Sequence, residues 1–590
     1  MNSLPHPSKG SLMNGRTTSP AGRADAESPD VDYLIIGAGV CGIYMLRELL
    51  EVGANVVLLD ANADVGGTWF NNRYPGCRFD SESYTYQYSF SQELLDEWDW
   101  TERFSSQPEI RAYLEHVAKK FDLYPHMQFN AKVSSMTWDE DTWCWLVRTE
   151  DGREITARFV LCAMGLLSVP TYPTFEGMDR FKGRDTHTFD WPEDLDVTGL
   201  RVAVVGTGAS GVQVVAEIAD KVKHLTVLQR GANWCVPLGN APITPEEMAR
   251  LRASYDEIFA ICRETPASFI HRPDRTKSTD VSREERLKRW EDMYFRGHGA
   301  RMSQGNFRDA MMEVDANREL SEFIADRIRE RVKDPRVAEL LIPKDHGFGN
   351  KRVGGESGFY EAFNRPNVEL VDLKTTPVRE ITESGIRLDC GDSYRDIELD
   401  VIVYATGFDA VTGAFDRIDI TGANGAKLKE KWADGPETCV GVQVASFPNM
   451  FTLVGPQSGS ATANFPRGIE DVVTWMRVLA EYVADNHIGR IEARREAEIE
   501  WVEHVREFNS KLLLSRTKSW FNGNNTNLDR DDRPRVMVYL GGAPRYRRRL
   551  AEETDNGYPS FVLKSIAEQV SSREGASHPA GSLEVETSGR

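Results

Sequence analysis

Two stretches of this chain repeat one order of apolar and polar positions. In the first, the apolar run Leu34–Ile36 predicts a strand and Gly37-x-Gly39-x-x-Gly42 follows it. Apolar residues then recur at helical spacing through Leu50, and Asn55–Leu59 predicts a second strand ending on Asp60. In the second, a strand over Val202–Val205 precedes Gly206-x-Gly208-x-x-Gly211, a helix runs through Ala219, and a strand covers Leu225–Leu228 before Gln229-Arg230. The run DVIVYATGF at 400–408 predicts one more buried strand. Segments 141–165 and 365–404 are expected to add strands, and 240–344, rich in Glu, Arg, Met and Ala, carries helical periodicity.

Each repeat is a βαβ unit with the glycines that bind a dinucleotide: a tight turn and close backbone approach to a pyrophosphate at a helix N-terminus. Asp60, eighteen residues after Gly42, is placed to accept from a ribose hydroxyl. The second unit lacks that acid. Without a carboxylate a 2′-phosphate is not repelled, and Arg230 offers it a charge-assisted partner. The first site therefore suits FAD or NAD and the second NADPH. The expected fold class is α/β, with two Rossmann-like dinucleotide-binding domains and a helical insertion. Along the chain this gives a tail at 1–30 and a first FAD-domain part at 31–165. A linker and first NADPH-domain part cover 166–239, the insertion 240–344, and the second NADPH-domain part 345–404. The second FAD-domain part covers 405–567, and a tail 568–590.

Composition narrows the setting. A chain of 590 residues exceeds one hydrophobic core, and 40% hydrophobic with 27% charged residues is ordinary for a globular protein. A net charge of −20 argues against nucleic acid or an anionic membrane as partner. The eight cysteines show neither a C-x-x-C pair nor metal spacing, which points to a reducing, cytoplasmic setting and no structural metal. No apolar run approaches the roughly 20 residues that span a bilayer. The first thirty residues lack the apolar core of a secretory signal, and the Ser-, Pro- and Gly-rich ends are expected to be disordered.

Three further motifs carry a resemblance. Phe181-x-Gly183-x-x-x-His187-x-x-x-Trp191-Pro192 stands directly before the second glycine turn. Gly66-Gly67-Thr68-Trp69 is followed by Tyr74-Pro75-Gly76 and Asp80, and Asn350-Lys351-Arg352 follows the helical insertion. Over about residues 31–565 the chain resembles the type I Baeyer–Villiger monooxygenases, and is similar to members acting on large cyclic, macrocyclic or steroidal ketones. The resemblance implies FAD, NADPH and O2 as reaction partners, and conversion of a ketone to an ester or lactone through a C4a-peroxyflavin.

It also implies roles. Arg352 is the active-site cation, a fixed charge that favours the reacting anions over their neutral precursors, and Asp80 orients it. Thr68, Trp69, Asp80, Tyr86 and Val133 join Gly37, Gly39, Gly42 and Asp60 around FAD. Arg78, Thr207, Ser210, Gln213, Lys351, Arg352 and Trp520 join Gly206, Gly208, Gly211 and Arg230 around NADPH. His187 is expected to couple domain placement rather than act as a base. Asn350 stands where many relatives carry Cys, and the loop after Trp520 departs from the common family wording.

Rival readings have their own signatures. A flavin monooxygenase of sulfides or amines places a single Tyr or Phe where this chain has Trp191-Pro192. A pyridine-nucleotide:disulfide reductase needs a redox cysteine pair. A non-catalytic NADPH-binding flavoprotein predicts loss of the Arg352–Asp80 pair.

Overall fold

A computed structural model describes residues 28–525, 527–528 and 533–576. The ends 1–27 and 577–590, and residues 526 and 529–532 of the loop after Trp520, lie outside the described residues. Ile566–Ala576 is helical and overlaps the start of the span 568–590 expected as a tail.

The first βαβ unit consists of strand Val31–Ile36, helix Val40–Glu51 and strand Val56–Leu59. The two strands pair in parallel, Tyr33 opposite Val56. Strand Glu154–Cys162 lies on the other side of Val31–Ile36, and the sheet continues antiparallel through Cys144–Thr149 and Val133–Asp139. Two short strands from much later in the chain, Asp419–Thr421 and Met450–Thr452, join this sheet, which has eight strands. Helix Val40–Glu51 is covered on its outer side by Phe465–Asp485, whose apolar face includes Ile469, Val472, Val473 and Met476.

The second sheet is parallel throughout, in the order Val368–Asp372, His224–Gln229, Arg201–Val205, Val401–Tyr404, Arg184–His187. Its inner strands are apolar on both faces, as a sheet covered on both sides requires. The DVIVYATGF run supplies Val401–Tyr404 and pairs directly with the glycine-turn strand. Residues 184–187, expected as polar linker, form the edge strand instead, with His187 opposite Tyr404. An edge strand needs only one hydrogen-bonded side, so polar residues such as Arg184 and Asp185 fit there without the apolar signature of a strand.

Between the halves of the second sheet the chain builds helices Pro245–Ala253, Tyr255–Glu264, Arg283–Phe295, Val314–Arg331 and Pro335–Leu341. Thr244 and Ser282 cap the first and third through their hydroxyls. Among the described residues no helix is long and apolar enough to cross a membrane.

Candidate active site

The glycines of both turns divide by what they touch. A Cβ on Gly37, at φ +110°, would lie 2.6 Å from the Ala163 carbonyl oxygen, and one on Gly42 would lie 1.8 Å from that of Gly37. Gly206 and Gly211 repeat this against Ala405 and Gly206, at 2.5 and 2.2 Å. Those four are required by the protein's own backbone. The middle glycines are not. A Cβ on Gly208 would meet nothing within 4 Å, and one on Gly39 only the Gly67 Cα at 3.6 Å. Both residues have negative φ and stand before a helix that has no side-chain cap. Open space and uncapped N–H groups suit a pyrophosphate lying against each turn.

Asp60 is buried and pinned to the first turn: one carboxylate oxygen accepts from the Ala38 N–H at 2.5 Å, the other from Asn62 at 2.7 Å. Burial raises its pKa and those two bonds oppose the rise. In the second unit the uncharged Gln229 is occupied with protein. It accepts from the Thr207 hydroxyl at 3.3 Å and donates to the Leu340 carbonyl at 2.8 Å. Arg230 next to it is accessible and makes no hydrogen bond or ion pair among the described residues; nearby protein pulls its pKa below the ordinary value. Lys351 donates to Asp345 at 3.1 Å. Burial disfavours the Asp345 charge, but His346 at 2.7 Å and the Lys351 ammonium bring its pKa down to about 2.

Around the other motif, Thr68 lies exposed at the start of the short helix Thr68–Asn71 and Trp69 is buried. The Trp69 indole N–H donates to the Tyr86 hydroxyl at 3.2 Å, and Tyr86 stacks on Phe79 with ring centroids 4.4 Å apart. Val133 opens its strand, buried, opposite Thr149. Arg352 reaches back across 272 residues of sequence to Asp80, its Nη2 3.0 Å from both carboxylate oxygens. The Asp80 charge raises the Arg352 pKa while burial opposes it. The Arg352 side chain is 47% accessible. Among the described residues its Nε and Nη1 donate to nothing. Asn233, with no signal in the sequence, holds the Arg352 backbone carbonyl at 3.0 Å.

Three expected NADPH contacts sit where the two sheets meet. Tyr74 donates to the Gln213 side-chain oxygen at 2.8 Å, Gln213 donates to the Arg78 carbonyl at 2.9 Å, and Ser210 lies beside the same Tyr74 hydroxyl. The Arg78 guanidinium is held by Glu102 at 3.0 Å and the Phe104 carbonyl at 2.9 Å. A Cβ on Gly76 would strike the Gln213 carbonyl at 2.9 Å. Glycine is what lets this loop close on the helix.

Of the fingerprint residues, His187 and Trp191 are buried, Phe181 and Pro192 half-buried and Gly183 exposed. Phe181 folds back over Gly183, where a Cβ would lie 2.4 Å from its ring and 2.5 Å from the Asp400 carbonyl. Trp191 is buried with its N–H 3.4 Å from the Leu195 carbonyl, and Pro192 closes that turn by accepting from Leu195 N. His187 is buried against the rings of Tyr172 and Phe408, and its Nδ1 accepts from Phe189 N at 3.0 Å. Burial pulls its pKa down to about 4. Trp520 is half-buried beside Phe521, and Asn525 and Asn527 tie its loop to the Phe408 and Thr406 carbonyls.

All eight cysteines are free, and all but Cys390 are buried. Residues 34–321 match the family described as pyridine nucleotide-disulphide oxidoreductase. The Baeyer-Villiger monooxygenase of Pseudooceanicola batsensis is 38% identical, over 92% of this chain and 98% of its own. A solved structure titled OTEMO in complex with FAD and NADP superposes with TM-score 0.87 at 41% identity, covering 91% of this chain and all of the other. That of an oxidized steroid monooxygenase bound to NADP gives 0.85 at 42%, covering 90% and 99%. Relatives this similar over nearly their full length, together with two glycine turns open to dinucleotides, show that the chain belongs to the Baeyer–Villiger monooxygenases, flavoenzymes that use FAD, NADPH and O2 to insert one oxygen atom beside a ketone carbonyl.

Proposed function

We propose that this enzyme acts on a large cyclic or polycyclic ketone and that Arg352 is its catalytic cation, positioned by Asp80. The observation that carries the second part is the Arg352–Asp80 pair itself. Only Nη2 is spent on the carboxylate, while Nε–H and Nη1–H make no hydrogen bond among the described residues and the side chain is exposed. Reduced FAD supplies the oxygen-activating chemistry when bound. What the chain's own residues do is hold a permanent positive charge where negative charge develops, at no cost of reorganisation during reaction. Thr68, Trp69 and Tyr86 shape the wall beside it, with Trp69 and Tyr86 excluding water through mutual hydrogen bonding and packing against Phe79.

Gly206, Gly208, Gly211, Arg230 and Lys351 receive NADPH in this reading: the turn takes the pyrophosphate and the cations take the 2′-phosphate. Gly37, Gly39, Gly42, Asp60 and Val133 receive FAD. His187 exchanges no proton with substrate, since it is neutral and enclosed by Tyr172 and Phe408.

Support for a bulky substrate comes from the steroid monooxygenase, which is 42% identical. The test is NADPH oxidation by the FAD-loaded enzyme in air across linear, small-ring, macrocyclic and steroidal ketones, with mass spectrometry for a product heavier by one oxygen. Macrocyclic or steroidal ketones are expected to give the highest kcat/KM. A clear preference for cyclohexanone or for linear ketones overturns the substrate assignment.

A further inference from the structure

Glu82, His271 and His298 come from three distant segments and meet at one point. Glu82 precedes a short turn of helix at Ser83–Thr85, His271 lies in the loop after helix Tyr255–Glu264, and His298 lies in the turn after helix Arg283–Phe295. The His271 Nε2 is 2.7 Å and the His298 Nδ1 3.1 Å from the same Glu82 oxygen, across 189 and 216 residues of sequence. One ligand atom from each residue lies within 4.8 Å of the others. Glu82 is fully buried, and its second oxygen, also buried, accepts no hydrogen bond. Neighbouring backbone is shaped to permit the approach: Gly299 has φ +54°, and a Cβ there would lie 2.8 Å from the Phe104 ring and 3.0 Å from the Glu82 oxygen.

We propose that Glu82, His271 and His298 form a site for a divalent transition-metal ion of the zinc class, which ties the helical insertion to the loop that carries Asp80. Two imidazoles and a carboxylate are the ligand set such ions take, with water completing the coordination. A fully buried carboxylate is costly unless a cation is held beside it, and among the described residues the His271 and His298 imidazoles are its only side-chain hydrogen-bond partners. Its unpartnered oxygen is a further donor for the ion. His271 also lines a cavity of about 880 Å³ in the insertion, along with Arg272, Asp274 and Met293. Local sequence spacing could not show this site, because no two of its ligands fall within one motif.

The probes are Zn2+ and Co2+, added to FAD-loaded enzyme stripped by a chelator. One equivalent of Zn2+ per chain is expected, with a raised melting temperature and, with Co2+, the intense visible bands of a low-coordinate ion. His298→Gln, which keeps a polar side chain, and His271→Gln are each expected to lower Zn2+ affinity at least tenfold while retaining FAD. Retained flavin absorbance shows that the variant is folded. Absence of stoichiometric Zn2+ and Co2+ binding by the unsubstituted enzyme overturns the proposal, as does unchanged affinity in both folded variants.

Discussion

Arg230 illustrates how much one side chain can decide. It follows the strand that in the first unit ends on Asp60, and among the described residues it makes no hydrogen bond or ion pair. A charge-assisted contact to a phosphate contributes about 1.5–3 kcal/mol, so Arg230→Ala should raise KM for NADPH roughly 10- to 100-fold and leave KM for NADH nearly unchanged. Steady-state kinetics with both cofactors checks this. His187 makes a different prediction. Its folded pKa is about 4, from burial, against an ordinary value of about 6.5. Between those values the unfolded chain takes up a proton that the folded one refuses. The stability that depends on neutral His187 is fully present above pH 6.5 and is lost as pH falls toward 4, at up to about 1.4 kcal/mol per pH unit. Denaturant midpoints between pH 7 and 5 should fall with pH, and His187→Gln should flatten that slope.

At the scale of elements, the glycines separate folding from binding. Gly183→Ala places a methyl against the Phe181 ring and the Asp400 carbonyl and should destabilise by about 1–3 kcal/mol, seen as a lower denaturant midpoint. Gly208→Ala meets no protein atom and needs no unusual backbone angle. Its stability should stay within about 0.5 kcal/mol of the parent, while NADPH affinity falls. The βαβ units were legible because strand, glycine turn and helix lie within some thirty consecutive residues and the apolar period changes at each boundary. The strand Arg184–His187 was not, since an edge position imposes no apolar pattern. The motif residues around Asp80 and Arg352 were legible through family resemblance. Their pairing across 272 positions is a property of the fold that no local window contains, and Asn233, which fixes the Arg352 backbone, carried no signal at all.

Across the whole molecule, the two sheets are joined where Tyr74, Gln213 and the Arg78 carbonyl form a hydrogen-bonded clasp beside the second glycine turn. Tyr74→Phe leaves the Gln213 side-chain oxygen unpaired and should slow flavin reduction by NADPH, with FAD content unchanged, in anaerobic stopped-flow experiments. The same clasp fixes the loop leading to Asp80, and Asp80 in turn holds the exposed Arg352 guanidinium. In the proposed function that arrangement gives Arg352 the burden of oxygen insertion. The most direct test is the fate of oxygen in Arg352→Ala, purified with FAD and reduced with NADPH before exposure to O2 and ketone, the product being followed by mass spectrometry. The expected result is a protein that binds FAD and is still reduced, but releases hydrogen peroxide and forms no ester or lactone. Ester formation near the parent rate would contradict the account.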